Sequence, residues 1–459
     1  MKNTWSALRY LYKSEDIRRM LLVTLVLLVI YRLAANIPVP GIDVAVLQEL
    51  RNRSVASGTD LLSLLDLLSG GTVSGFSVLS MGVYPYITAQ IILQLLVPII
   101  PALQRRMEEN PTEGRKWQEK WTYYLTVPMA ALSAIGQINI FNSVTQQNGG
   151  KNIVDFGFTP ELWLTSLTVL FTMVAGTMFA IWLGELISEY GIRGQGLSLI
   201  IFAGIVSKIP SNFQHILLDE QNRIPMLIFM IVVIVLTIFA IVYVQQGRRN
   251  VPVMYPGRRV GSRMSMPVKA SLPLLVNMSG MIPLIFAGAI LQFPTIVSSF
   301  FLGPEVNPTV RQIAQSVQDT LSNGSALYWS IYFFMVVVFT FFYTDVMFAQ
   351  QNYGDNLKRV GAQIPGVNRG APTQKYLTKV QRRITLVGAL FLGIVAILPF
   401  LLSELLKLLN IGSTTSSAAG LFLVSSAGLL IVVGVVRDTF STIDAELKLH
   451  GYQDSILVK

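Results

Sequence analysis

Residues 225–244 read PMLIFMIVVIVLTIFAIVYV without one charged side chain, and Gln-Gln-Gly-Arg-Arg follows at 245–249. An α-helix rises about 1.5 Å per residue, so a stretch of this length matches the ~30 Å hydrocarbon core of a bilayer. A surface helix of a soluble domain carries a polar face; this stretch has only Thr237 and Tyr243 to offer. It therefore belongs in lipid, and its basic end marks one membrane surface.

Nine further apolar runs of roughly spanning length lie at Met20–Ala35, Val78–Ile100, Trp121–Phe141, Leu162–Ile187, Leu197–Ile209, Leu274–Val297, Leu327–Phe348, Ile384–Leu402 and Ala418–Val436. Pro85 and Pro283 interrupt two of them, which is tolerable where neighbouring helices shield the backbone. Across the 459 residues 52% are apolar and 13% charged, against about 25% charged in a soluble domain, so lipid is the solvent throughout. The absence of cysteine excludes disulfides, thiolate metal sites and a cysteine nucleophile. The two histidines, His215 and His450, stand too far apart in the chain to favour a histidine-built site. Lys13, Arg18 and Arg19 precede a first run that is itself long enough to span and that no small-residue cleavage site closes, so a removable signal peptide is not expected.

Charge decides the topology. With the N-terminus in the cytoplasm, inside segments hold 27 of the 35 Lys and Arg residues and outside segments 7, with Arg32 at the end of the first span. A missed helix midway would invert the sign from there on. The expected fold class is an all-α integral membrane protein of ten transmembrane helices, both termini cytoplasmic. If it consists of two five-helix repeats, here 1–210 and 211–459, the odd number forces them to be inverted. No internal sequence repeat is evident.

Chemistry is scarce. Solute transporters carry ionisable residues near the bilayer midplane, yet these helix interiors are nearly free of charge. Glu185 and Asp345 fall near cytoplasmic helix ends, as interfacial or capping carboxylates would. Residues 68–71 (LSGG) match the ATP-cassette signature, but no Gly-rich loop ending in Gly-Lys-Ser or Gly-Lys-Thr accompanies it. No serine–histidine pair or facing aspartates lie within a span. The reading is a conduit with no catalytic, cofactor or metal residues.

Between the first two spans, Asp60 is placed to N-cap Leu61-Leu62-Ser63-Leu64-Leu65-Asp66-Leu67-Leu68-Ser69, which ends at Gly70-Gly71. Nine helical residues rise only about 13–14 Å and cannot cross. Such an outer apolar helix either lies on the membrane or folds back as a stopper, with the glycine pair as hinge. On the inside, loops 245–272 and 349–383 are long, basic and punctuated by Gly and Pro, notably 255–260 (YPGRRV) and 364–370 (IPGVNRG). Positive charge keeps such loops inside, but their length points to binding. Arg258, Arg259, Arg263, Lys358, Arg359 and Arg369 are the candidate contacts, suited to ribosomal RNA, an acidic motor patch or anionic lipid.

From about Trp5 to Tyr452 the chain resembles the SecY family, the central channel subunit of the bacterial Sec translocase, and residues 36–43 (NIPVPGID), 69–71 (SGG), 81–88 (MGVYPYIT), 189–192 (EYGI), 198–206 (SLIIFAGIV), 272–273 (LP), 364–366 (IPG) and 429–434 (LLIVVG) carry the resemblance. It implies a protein-conducting channel in the bacterial cytoplasmic membrane, in which two inverted halves clasp an hourglass pore. The apolar ring at its waist falls on Val83, Ile87, Leu197, Ile201, Ile285 and Ile431, and the plug on about 61–72, including Leu61, Leu64, Leu65, Leu68, Gly70 and Gly71. A lateral gate is expected between the second and third helices and the seventh and eighth, with Gln94 and Asn277 at polar positions. An uncharged pair there contributes only about 0.5–2 kcal/mol, little enough for an entering signal sequence to displace.

The resemblance also implies partners: small SecE-like and SecG-like membrane subunits, the SecA ATPase, the ribosome, signal sequences and unfolded polypeptide, and surrounding lipid. The chain departs from the family pattern in three places. Gly261-Ser262-Arg263 stands for Gly-Arg-Arg, Arg369 comes one residue late in 367–370 (VNRG), and Leu275 replaces a common lysine.

Overall fold

The computed structural model describes residues 14–43, 76–147, 153–154, 156–157, 160, 162–217, 223–256, 259–260, 263–264, 268–299, 301, 307–321, 325–408 and 415–449. Ten helices fall on the ten apolar runs: α1 (Glu15–Ala34), α2 (Tyr84–Ile99), α4 (Pro111–Gln147), α5 (Trp163–Tyr190), α6 (Gly196–Leu217), α7 (Arg223–Gln246), α8 (Ile282–Ser299), α10 (Ala326–Gln350), α12 (Ala371–Leu408) and α13 (Thr415–Leu449). Shorter elements lie between them: α3 (Pro101–Glu109), α9 (Pro308–Thr320), α11 (Tyr353–Arg359) and the strands β1 (Arg248–Tyr255), β2 (Arg259–Val260), β3 (Arg263–Met264) and β4 (Val268–Leu275). Among the described residues, Thr112–Asn142, Trp163–Tyr190, Leu227–Gln246, Ala326–Arg359 and Ala371–Leu398 are long and apolar enough to cross a membrane. The pair Tyr84–Val97 and Pro101–Met107 passes the same test together but is bent by 94°, the form of a broken span or of a re-entrant loop. Ile100 at the bend is extended, φ −98° and ψ 107°, because Pro101 disfavours the helical region for the residue before it. The apolar helices Gly196–Ser207 and Ile282–Ser298 are shorter.

Several helix starts differ from the sequence expectation, among them those of the second, seventh and ninth. The second begins at Tyr84 rather than Val78 because residues 76–83 form turns, with Phe76 at φ 40° and Gly82 at φ 51°. The seventh begins at Ile282 rather than Leu274: Leu274 and Leu275 end β4, and the chain then turns through Gly280 at φ 63°. The ninth starts at Ala371, 13 residues before Ile384, so its helix runs on beyond the apolar run. Hydroxyls inside the helices are satisfied locally, as in Thr24 to Met20 (2.8 Å), Thr126 to Thr122 (2.6 Å) and Thr340 to Val336 (2.6 Å), each donating to the carbonyl four residues back. In a solvent without water this is how polar side chains are tolerated.

The chain divides into two compact units, each drawing on separate stretches of sequence. Unit 1 comprises Met1–Val232, Ala289–Tyr328 and Pro399–Lys459. In it α2 packs on α4, α4 on α5, α5 on α6 and α6 on α13, with α1 laid against α5 and α6. Its core gathers Val39, Phe76, Met81, Ile138, Phe141 and Met173, and the Phe76 and Phe141 rings meet edge to face at 5.0 Å. Here the 36–43 segment finds its purpose. The Val39 N–H donates to the Phe76 carbonyl (3.2 Å) and the Val78 N–H to that of Ile37 (2.9 Å), so residues 37–39 and 76–78 form a two-stranded clamp at the foot of segment 44–75. Prolines 38 and 40 lack the N–H that would recruit a further strand.

Gly176 lets α5 approach this clamp. A Cβ there would sit 1.9 Å from the Val78 carbonyl oxygen, which is backbone and has nowhere to yield. Gly176→Ala should therefore cost about 1–3 kcal/mol and lower the thermal midpoint of the detergent-solubilised protein, read by size-exclusion after heating. Ala175→Leu, at the exposed neighbour, should leave it unchanged.

Unit 2 comprises Val233–Gly288 and Trp329–Leu398. β1 and β4 pair antiparallel from Arg248↔Leu275 to Tyr255↔Val268, and β2 and β3 pair as Arg259↔Met264 and Val260↔Arg263. Val251 and Val253 are buried while Pro252 between them is exposed, the period-two alternation of a strand with one covered face. The covered face meets Leu274, Phe348, Leu357, Ala362, Ile364, Leu377 and Val380.

Candidate functional site

The two long basic loops, expected as separate elements, share one hydrophobic core. Met254 and Gln363 exchange two backbone hydrogen bonds, 2.8 and 2.9 Å, so the β1–β4 hairpin of the first loop is stitched to the second. Ile364 of the Ile-Pro-Gly motif is 2% exposed within that core. Gln381, on α12, donates to the Leu275 carbonyl at 3.1 Å and fastens the hairpin base to the helix. Asp345 of α10 takes Arg382 of α12 through a two-pronged pair, Nη2–Oδ2 2.9 Å and Nε–Oδ1 3.1 Å. It is thus an interhelical tie, refining the expected capping role.

Basic groups decorate this rigid body. Lys358 and Arg359 are exposed in the last turn of α11, and Arg369 is exposed with its Nε on Gln363 Oε1 at 3.2 Å. Arg259 and Arg263 sit in the paired strands β2 and β3, where Val260↔Arg263 pairing leaves only Gly261-Ser262 to join them. Arg258 lies outside the described residues. Arg263, the arginine kept where the family pattern has two, is therefore held in a strand of the hairpin, and Ser262 stands where the other would be.

Four of the six ring positions are buried: Val83 (1%), Ile201 (8%), Ile285 (8%) and Ile431 (2%). Ile87 and Leu197 are partly exposed. Val83 caps α2 and Ile87 lies one turn on; Leu197 and Ile201 are likewise four apart on α6, so each pair shares a helix face. Close contact at Gly184 seats Leu197: its Cδ2 is 2.8 Å from the point a Cβ on Gly184 would occupy, so α6 can lie tightly on α5. Five of the positions belong to unit 1, and Ile285 to unit 2.

Of the polar gate positions, Asn277 is 3% exposed and bonded within its own turn, donating to the Gly280 carbonyl (3.0 Å) and accepting from Ser279 Oγ (3.0 Å). Gln94 Oε1 is buried without a partner. Sequence reading missed Gln137 on α4, which is 4% exposed with neither its Oε1 nor its Nε2 bonded. A glutamine in mid-span was the available signal, since a buried unsatisfied amide costs about 1–3 kcal/mol. Nearby, within unit 1, the Tyr84 hydroxyl donates to the Ala289 carbonyl of α8 at 3.4 Å, and Gly136 of α4 faces Ile296. The expected plug residues, Leu61, Leu64, Leu65, Leu68, Gly70 and Gly71, lie outside the described residues. Among the described residues no group of three His, Cys, Asp or Glu side chains could hold a metal ion.

Comparison with known proteins accounts for this arrangement. The SecY family model matches residues 77–440. The protein translocase subunits SecY of Thermotoga maritima and Aquifex aeolicus are 35% and 36% identical, with 98% of this chain covered and 98% and 99% of theirs. That of Thermus thermophilus is 36% identical over 99% of this chain and 97% of its own. Two solved structures share the fold. One is a protein-conducting channel (TM-score 0.63, 17% identity, 96% and 95% of the two chains). The other is of a SecY protein whose plug domain stabilises the closed channel and maintains a membrane seal (TM-score 0.58, 18% identity, 96% and 95%). Ten helices on ten apolar runs, the clamp at 37–39 and 76–78, and identity along nearly the whole length lead to one assignment: this chain, a multi-pass membrane protein, belongs to the SecY family.

Proposed function

We propose that the chain is the passive pore of a Sec translocase, carrying secretory proteins across the bacterial cytoplasmic membrane and releasing membrane helices sideways into lipid. The observation that carries this reading is the end-to-end match to bacterial translocase subunits at about 35% identity. Its halves are 1–210 and 211–459, both termini cytoplasmic, as the 27 inside cations favour. The ring of Val83, Ile87, Leu197, Ile201, Ile285 and Ile431 excludes water and parts around an extended chain, segment 61–72 stops the pore from outside, and Gln94 and Asn277 flank the lateral gate. No bond is made or broken by the chain itself, so it is a conduit and not an enzyme.

Force comes from partners: SecA behind secreted chains, a translating ribosome behind membrane proteins, with SecE-like and SecG-like subunits bracing the channel. Arg258, Arg259, Arg263, Lys358, Arg359 and Arg369 meet them. Because the two loops share a core, a push on the hairpin is delivered to α10 and α12 together. Reconstituted with such subunits and a SecA-type motor, the protein should protect a signal-bearing precursor from external protease only when ATP is present. No ATP-dependent protection would end this reading. Arg263→Glu or Arg369→Glu should slow that transport about tenfold, by the loss of charge steering, with assembly intact. Unchanged kinetics in both would leave those charges as topology signals.

A further inference from the structure

Between α11 and the start of α12, wholly within unit 2, lies an open cavity of about 710 Å³. Lys375, Thr378, Lys379, Arg382 and Arg383 line it from α12, and Asp355, the one acidic lining residue, faces them from α11. Lys375, Lys379 and Arg383 recur every fourth residue and are all exposed, so they stand in a row along one helix face. Arg382 is engaged by Asp345, and the other three cations exceed the remaining carboxylate. The row does not end in water. One turn on, the same face becomes Leu386, Val387, Leu390 and Ile394, exposed by 50, 61, 43 and 48%, inside the span Ala371–Leu398. Exposed apolar side chains on a spanning helix face acyl chains.

A cationic pocket that opens onto an apolar stripe complements a molecule with an anionic head and a hydrocarbon tail. We propose that this groove is a binding site for one anionic phospholipid, its phosphate held by Lys379 and Arg383 and an acyl chain lying along Val387 and Leu390. The shared chemistry with a free phosphate or a nucleic-acid backbone is the phosphodiester; what favours lipid is the stripe directly below the cations. Bound there, the lipid would anchor α12, and with it the loop body, at the membrane surface.

The test is retention of lipid, which needs no transport activity. The full chain, extracted from nanodiscs of mixed phosphatidylglycerol and phosphatidylcholine, is examined by native mass spectrometry. The wild type should keep phosphatidylglycerol. Each cation near an anionic surface contributes about a fivefold gain in affinity, so Arg383→Gln should lower retention about fivefold and Lys379→Gln with Arg383→Gln about thirtyfold. The swap Lys379→Arg with Arg383→Lys should restore it, and the control Arg115→Gln with Lys116→Gln, exposed cations on α4, should not disturb it. Equal retention by the double variant, or equal loss in the control, overturns the site. Displacement by soluble glycerol phosphate or by a short RNA as readily as by lipid would assign the pocket to a phosphate ion or to nucleic acid instead.

Discussion

Replacing Ile285 or Ile431 with asparagine will make the membrane leak ions and will let precursors with defective signal sequences pass. Both isoleucines are buried, at 8% and 2% exposure, in helices of a SecY-family channel. An apolar constriction blocks ions because water and its solutes gain nothing by entering. An amide makes up about 1–3 kcal/mol of that deficit, so ion flux through vesicles holding the resting channel should rise about tenfold or more. Ile285→Leu and Ile431→Leu keep the surface apolar and should hold the seal, which separates wetting from mere disturbance of packing. Wild-type flux and wild-type signal stringency in both asparagine variants would remove these residues from the ring.

Deleting residues 61–72 should leave a channel that folds but leaks, since the ring alone would then hold the seal. Folding should survive because the segment departs from and returns to a clamp of its own, Val39 on Phe76 and Val78 on Ile37, which the deletion leaves untouched. The chain has no cysteine, so a single one placed at Leu65 or Leu68 can be followed without background. A polar thiol reagent should reach it slowly in the resting channel and at least about tenfold faster with a precursor jammed in the pore, once pore water replaces apolar packing around the thiol. Fast labelling in both states would mean a helix lying on the membrane, and the stopper would have to be given up.

Composition and periodicity determined by themselves that this chain lives in lipid and which stretches of it enter the bilayer, because a bilayer punishes polar deviations along some twenty residues. Residues 225–244 are legible for that reason. So were the motifs that mark the family. Tertiary structure decided what local pattern could not carry. Leu274 looks like the start of a span but lies in a strand, because the strand at 248–255 pairs with it and Gln381 holds the carbonyl of the next residue, Leu275, from far along the chain. Tyr84, and not Val78, begins the second helix, since the clamp at 37–39 takes the preceding residues for itself. Two loops a hundred residues apart became one body through Met254 and Gln363. Val83 and Ile431 are ordinary aliphatic residues until non-local packing gives them neighbours, and no spacing rule reaches across that distance. Packing between distant segments therefore exists only in three dimensions, whereas a span exists already in one.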